Sequence, residues 1–362
     1  MRLAVKTATF FRRWQPVAGT VSAIPFFVKN FRPDREGIHN RVMRYLKYDG
    51  FMAALPLTPI IPARPFLKWA GGKSQLLCEF GGRLPKKKTG DRTITGFVEP
   101  FVGGGAMFFY FRHHFPAVES TICDINPELI LAYQVIRQST DDLIAELGII
   151  DSEFRKKDDR EKEVFYYRMR DAFNETKTAI GSGMPDSGEI RRVAQLIFLN
   201  HTCYNGLFRV NKKGRFNVPF GRYKNPDILN CNNLRAVSHL LEKTRILRGD
   251  FTVCRKYVDD ETFVYLDPPY RPLSATASFT SYSPTGFSDR DQERLARFYK
   301  ALDRKGAMVM LSNSDPKTEC NGDSFLEDLY AGFSIERVPA RRMINCKCGR
   351  RGAVSELIVT NY

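Results

Sequence analysis

Asp267, Pro268, Pro269 and Tyr270 stand in a row. Together they offer a carboxylate, carbonyls on a stiffened turn and an aromatic face. Consecutive prolines remove two backbone N–H donors and fix two φ angles, so the flanking groups point in set directions. The combination suits a flat ring bearing an amine, with the acid and a carbonyl as acceptors and the phenol ring as a stacking face. Taken alone, the tetrapeptide is explained at least as well by an ordinary turn after a strand, since Asp-Pro and Pro-Pro are common turn dipeptides. What separates the two readings is the set of partners that the rest of the chain supplies.

Four other stretches carry such groups. Lys68-Trp69-Ala70-Gly71-Gly72-Lys73-Ser74 is a glycine turn with two cations and an indole. It is not a triphosphate loop, because the first glycine of GxxxxGK[ST] would fall at Leu67. What remains is a turn able to approach a ligand closely, or a solvated loop. Glu99 leads through Phe101 to Gly103-Gly104-Gly105. The third glycine of a dinucleotide fingerprint would fall at Phe108, which disfavours a nicotinamide cofactor but leaves close backbone approach to a nucleoside. Asp124 lies about 20 residues beyond the glycines, where such folds place an acid on a ribose. Asp250-Phe251 follows a further short apolar run.

A fifth stretch has a different character. Between residues 200 and 224, Arg209, Lys212, Lys213, Arg215, Arg222 and Lys224 alternate with aromatics and amides, and no acid interrupts them. That mixture suits phosphates, base edges and unstacked bases. A surface hairpin with incidental charge is the plainer alternative, Asn-Lys-Lys-Gly-Arg being good turn chemistry. Over the whole chain 56 Lys and Arg face 40 Asp and Glu, a net charge of +16, which points toward a polyanionic partner.

For the acids and glycines to meet, each must sit at the end of a strand in one sheet. Thr262 to Leu266 is a buried-strand run leading into Asp267, Ile94 to Val98 leads into Glu99, and Ser120 to Cys123 into Asp124. Arg245 to Leu247 leads into Gly249-Asp250, Ala307 to Leu311 is a further strand, and Val354 to Thr360 is expected to pair near Phe333 to Val338. Helices are expected from Met107, from the cap Asn126-Pro127, at Leu234 to Lys243, and at Ser288 to Leu302. This alternation predicts an α/β sheet, which places its chemistry at the carboxyl ends of its strands. Between about 136 and 240 it stops, and helices at Asp141 to Leu147, Arg160 to Thr178 and Glu189 to Asn200 read as an inserted recognition domain. The expected division is a catalytic domain at 61–135 and 236–362, an insert at 136–235, and an amino-terminal extension at 1–60.

That extension has no acid before Asp34 and ends in the proline-punctuated Leu55 to Pro62. It is Arg-rich like a transit peptide but lacks the serines and clean amphipathic pattern of one. A start at Met52 would make residues 1–51 dispensable. The eight cysteines are scattered without paired CxxC spacing, so free thiols and no metal site are expected. No apolar run approaches the ~20 residues of a membrane span, and a soluble cytoplasmic protein is expected. Ala275 to Phe287 and Ile344 to Arg351 lack periodicity and read as loops that order on binding.

With motif order included, residues 64 to 362 resemble the Dam family of DNA adenine N6 methylases: glycine-lysine turn first, cofactor loop second, recognition insert third, catalytic tetrapeptide last. The resemblance implies a Rossmann-like sheet that binds S-adenosylmethionine, with an inserted helical DNA-recognition domain. It implies a catalytic Asp267, Pro268 and Tyr270, with Tyr270 stacking on an extruded adenine. Trp69 and Lys73 match a cofactor-contacting turn, Glu99, Phe101, Gly103 and Gly105 a loop around the methionine part, Asp124 the ribose acid, and Asp250 with Phe251 the adenine-edge contact, Asp267 closing the pocket. Lys68 matches a lysine that reaches DNA. Tyr204, Asn205, Leu207, Arg209 and Pro219 match the recognition hairpin of members that read GATC, where the arginine takes a guanine and the tyrosine wedges into the stack. At His201 and Thr202 the chain departs from the Arg and Tyr pair common there. The implied partner is double-stranded DNA, bound by a monomer, with no metal and no membrane. RNA or protein amino-methylation, and N4 methylation of cytosine, are the neighbouring alternatives; a catalytically dead DNA-binding module is the one from another class.

Overall fold

Neighbouring residues of each central strand serve two different cores. Phe97, Ile122, Phe263, Met308 and Ile358 pack into one, while Val98, Cys123, Val264, Val309 and Val359 pack into the other. Side chains alternate across a strand, so a sheet covered on both faces needs apolar residues at every position. That is why Thr262-Phe263-Val264-Tyr265-Leu266 is buried throughout.

The computed structural model describes residues 62–362 except 70, 72, 74, 87, 90–91, 177–182, 271–286, 316–322 and 341–353. The amino-terminal extension and the loops expected at Ala275 to Phe287 and Ile344 to Arg351 lie outside the described residues, Phe287 apart. After a short helix, Leu77–Gly81, and a two-stranded ribbon, β1 (Lys88–Thr89) and β2 (Arg92–Thr93), comes the main sheet. Its strands are β3 (Gly96–Glu99), β4 (Glu119–Asp124), β5 (Thr244–Arg248), β6 (Thr262–Leu266), β7 (Met308–Ser314), β8 (Ser334–Ala340) and β9 (Val354–Thr360). They lie in the order β5-β4-β3-β6-β7-β9-β8. The first five are parallel, and β9 runs antiparallel to both neighbours. The fold is a Rossmann-like α/β sheet. From β3 the chain steps outward through β4 to β5, then returns to lay β6 on the other side of β3. The switch point therefore falls between β3 and β6, and ligands of open α/β sheets bind outside the carboxyl ends there.

Local signals explain the helices. Asn126 caps Pro127–Gln138 by accepting from the Glu128 and Leu129 amides. Capping boxes at Asp158/Glu161, Asp186/Glu189 and Ser288/Asp291 start Asp159–Glu175, Ser187–Thr202 and Asp289–Asp303. The helix expected from Glu189 therefore begins at Ser187, and the one expected to reach Thr178 ends at Glu175. The helix expected over Asp141 to Leu147 runs over Thr140–Arg155, because Leu143, Leu147, Ile150 and Phe154 continue one buried stripe through Gly148. Helix Cys231–Leu241 then leads back to the sheet. The apolar core of the inserted helices, with Phe154, Phe165, Tyr166 and Phe198, is continuous with the sheet face that holds Phe97 and Phe263. Among the described residues no helix is long and apolar enough to cross a membrane.

Candidate active site

Asp267 leaves the carboxyl end of β6, and Lys73 comes to meet it. The ammonium lies 3.1 Å from Asp267 Oδ1 and 2.7 Å from Glu356 Oε1, and it also donates to the Tyr270 hydroxyl. That hydroxyl donates to both Glu356 oxygens at 3.0 Å. Lys73 and Glu356 are buried, while Tyr270 keeps 41% of its surface open. Its edge is thus tied while its ring stays accessible, with the ammonium 4.4 Å from the ring centre. Behind Asp267, Ser312 donates at 3.3 Å and is itself bonded to the buried Tyr265 hydroxyl. Gln292 Nε2 donates to the Pro269 carbonyl at 3.4 Å and its Oε1 accepts from Asn313.

Charge in this cluster is set by burial and by the opposed charges together. Burial lowers the Lys73 ammonium, but Asp267, Tyr270 and Glu356 outweigh it and hold its pKa above the lysine range. Burial raises the Asp267 carboxyl, which Lys73 and Ser312 offset only in part. Burial, with Asp267 nearby, raises Glu356 as well.

Across the switch point, Glu99 ends β3 and is buried. Its Oε2 has no hydrogen-bond partner. Burial and the neighbouring Asp267 push its carboxyl well above the usual range, against a hydrogen bond from the Phe108 amide. The loop after it turns at Gly103 (φ +49°) and Gly105 (φ +77°), conformations that favour glycine. The loop is held by Asp124, whose Oδ2 accepts from the Gly103 amide at 3.1 Å, and by Tyr133, whose hydroxyl donates to the Gly103 carbonyl at 3.1 Å. Burial raises Asp124 to about 6, with the Asn126, Gly103 and Ile125 amides working the other way. The Gly249 amide donates to the Asp124 carbonyl at 3.1 Å, which brings Asp250 alongside. Asp250 accepts from Thr252 and, at 3.0 Å, from Arg294. Burial acts against it, but these bonds hold its pKa below the usual carboxylate value. Phe101 and Phe251 pack with ring centres 5.4 Å apart.

The basic segment is reached through residues 66–69. Trp69 stacks on Phe208 at 5.4 Å and 18°. Tyr204 is 55% exposed, and Asn205, Arg209 and Pro219 are exposed beside it, with Leu207 half-buried. Arg209 is braced by Asn217, with its Nε donating to Oδ1 at 2.8 Å. The segment is a short hairpin: single antiparallel bridges pair Cys203 with Phe220 and Val210 with Phe216, and the Asn211 amide donates to the Arg215 carbonyl at 2.9 Å and the Asn217 amide to the Arg209 carbonyl at 3.1 Å. The expectation that its aromatics meet bases needs correction, since Phe208, Phe216 and Phe220 are buried in the core. His201 and Thr202 also turn inward, His201 to the Phe66 carbonyl at 3.0 Å and Thr202 to the Phe198 carbonyl at 2.7 Å.

The structure thus gathers Lys73, Glu99, Gly103, Gly105, Asp124, Asp250, Phe251, Asp267, Pro268 and Tyr270 along one sheet edge, with Lys68 and Trp69 leading from it to the basic segment. Glu356, Ser312 and Arg294 join that edge although no motif marked them. Among the described residues no group of His, Cys, Asp and Glu is arranged to hold a metal ion.

A family model described as the D12 class N6 adenine-specific DNA methyltransferase matches residues 69–344. The chain is 51% identical over 301 residues to the type II methyltransferase M.MjaIII of Methanocaldococcus jannaschii, covering 83% of this chain and 99% of that protein. It is 39% identical to the type II methyltransferase M1.LlaDCHI of Lactococcus lactis subsp. cremoris, covering 83% and 96%. With the DNA adenine methylase of Escherichia coli K12 it shares 34% identity, covering 82% and 94%.

Proposed function

The chain belongs to the D12 class of N6 adenine-specific DNA methyltransferases, and from that premise we propose how it works: Asp267, Pro268 and Tyr270 act on an extruded adenine, S-adenosylmethionine is the methyl donor, and residues 200–224 direct a monomer to GATC in duplex DNA. The observation that carries this reading is the Lys73-Asp267-Glu356-Tyr270 cluster at the switch point, in which the buried Lys73 and Glu356 hold Asp267 and the open Tyr270 ring.

An adenine N6 nitrogen is a poor nucleophile because its lone pair is delocalised into the ring. Asp267 and the Pro268 carbonyl accept its two N–H bonds, favour a pyramidal nitrogen and leave the lone pair free. Lys73 favours the ionised form of Asp267 against the cost of burial. Positioning and electrostatics then carry the rate, and neither a covalent enzyme intermediate nor a metal is required. Tyr270 offers its open face to the extruded base in place of the lost stacking neighbours. Fixing that ring by its hydroxyl keeps the platform in register with Asp267.

When bound, S-adenosylmethionine supplies an electrophilic methyl group on a sulfonium. The residues present fit it. The orphaned Glu99 oxygen is a buried acceptor without a donor, as an amino group requires. Asp124 is assigned to ribose hydroxyls, Phe101 with Glu99, Gly103 and Gly105 to the methionine part, Asp250 with Phe251 to the adenine edge, and Trp69 to the cofactor-contacting turn. Lys68, Tyr204, Asn205, Leu207, Arg209 and Pro219 form the DNA-facing set, and their match to members that read GATC supports that site.

The reading is tested by Asp267→Ala. Methyl transfer to a GATC duplex is expected to fall by about 10³-fold or more, with duplex affinity kept. Substantial transfer by the variant would refute the assignment.

A further inference from the structure

We infer that Asn200 is a positioning residue that couples the DNA-facing segment to the cofactor pocket, so that specific duplex and cofactor bind cooperatively through residues 66–69. The inference rests on the functional reading above. Asn200 sits in the last turn of helix Ser187–Thr202, where Leu196, Ile197, Phe198 and Leu199 are all buried and apolar. A buried amide in such a place costs free energy unless every polar atom is bonded. Here they all are. Its Oδ1 accepts from the Lys68 amide at 2.8 Å, and its Nδ2 donates to the Lys68 carbonyl at 2.9 Å and to the Gly206 carbonyl at 3.1 Å. One side chain thus grips both ends of a residue in the cofactor-side turn and also the turn at Tyr204–Gly206.

The contacts continue in both directions. Toward the DNA side, Gly206 has φ +60°, and the Lys68 side chain occupies the space that a Cβ there would need. The Lys68 ammonium lies 4.9 Å from the Tyr223 ring, whose hydroxyl accepts from the Asn205 amide at 3.0 Å. Toward the cofactor side, Trp69 follows Lys68 directly and is stacked on Phe208. A Cβ on Gly103 would stand 2.9 Å from Trp69 Cδ1, and one on Gly104 3.1 Å from Trp69 Cβ. Any shift of Gly206 when Tyr204 and Asn205 engage DNA must therefore break the Asn200 bond or carry Lys68 and Trp69 with it, and Trp69 bears on the glycine loop. Packed, hydrogen-bonded chains of this kind are what transmit coupling between sites.

The test is titration of the full-length protein with S-adenosylhomocysteine, alone and with a GATC duplex or the same duplex lacking the site. Wild type is expected to bind it about 5-fold or more tighter with the GATC duplex than alone. Asn200→Asp keeps the size and the acceptor but loses both donors. In that variant affinity without DNA is expected to stay within about twofold of wild type, while the gain from duplex collapses toward one. The inference is overturned if the folded variant keeps the wild-type gain, if it loses binding without DNA, or if wild type binds both ligands with no gain. Wild type that binds neither ligand would overturn the functional reading instead. Should Asn200→Asp not fold, amide exchange in wild type decides: the Lys68 amide is expected to exchange more slowly when GATC duplex is added without cofactor, and unchanged exchange overturns the inference.

Discussion

Lys73 is one ammonium set between two carboxylates, the partly buried Asp267 and the buried Glu356. The two acids are not redundant, because Glu356 also accepts from the Tyr270 hydroxyl and so braces the ring as well as the lysine. Glu356→Gln weakens the bond to Lys73 and leaves the Tyr270 hydroxyl one neutral acceptor in place of two carboxylate oxygens. We expect it to destabilise the fold by about 1.5 to 3 kcal/mol, the range for a hydrogen bond to a charged group, and to slow transfer more than it weakens DNA binding. Denaturant midpoints and single-turnover rates check both. Asp124 and Glu99 make a pH prediction. Both carboxyls are raised by burial in the cofactor-free protein, Asp124 to about 6. If bound cofactor favours their ionised forms, binding releases protons, and affinity falls as pH drops through 6, by about tenfold per unit for each proton released. Calorimetry in buffers of different ionisation enthalpy measures the release directly; affinity independent of pH between 5 and 7 would contradict these roles. Asp267, Glu99 and Asp124 were legible because each acid closes an apolar run. Glu356 was not. It stands inside a strand between Ser355 and Leu357, and only the antiparallel course of β9, which sets Glu356 opposite Ser314, carries it to the carboxyl edge.

At the scale of elements, the strands and helices followed from alternation and caps, while the segment from 200 to 224 shows where pattern misleads. Its aromatics and cations interleave in sequence, and interleaving alone does not say which way each points. Phe208, Phe216 and Phe220 turn into the core, and Tyr204 with Arg209 turns out. The burial anchors the hairpin, which then presents Arg209 braced by Asn217. Arg209→Ala is expected to relax sequence choice, costing about 1 to 3 kcal/mol of discrimination. Rates on GATC and singly substituted duplexes check this, and unchanged discrimination would remove the segment from the reading role.

At the scale of the whole molecule, the site exists because of strand order. Asp267 and Glu99 lie far apart in sequence and meet because β6 pairs with β3. The helices between residues 136 and 240 share their core with one face of that sheet, so the basic segment at 200–224 is carried on the same packed body as the Asp267 edge. Neither the pairing nor the shared core could be read from periodicity, which reports faces but not neighbours. We propose that this edge methylates adenine N6 at sites chosen by that segment. Expression in a host lacking adenine methylation, followed by mapping of modified bases across its genome, tests it most directly. N6-methyladenine is expected in GATC on both strands with wild type and not at all with Asp267→Ala. Methylation independent of Asp267, or wild-type methylation confined to sites other than GATC, would contradict it.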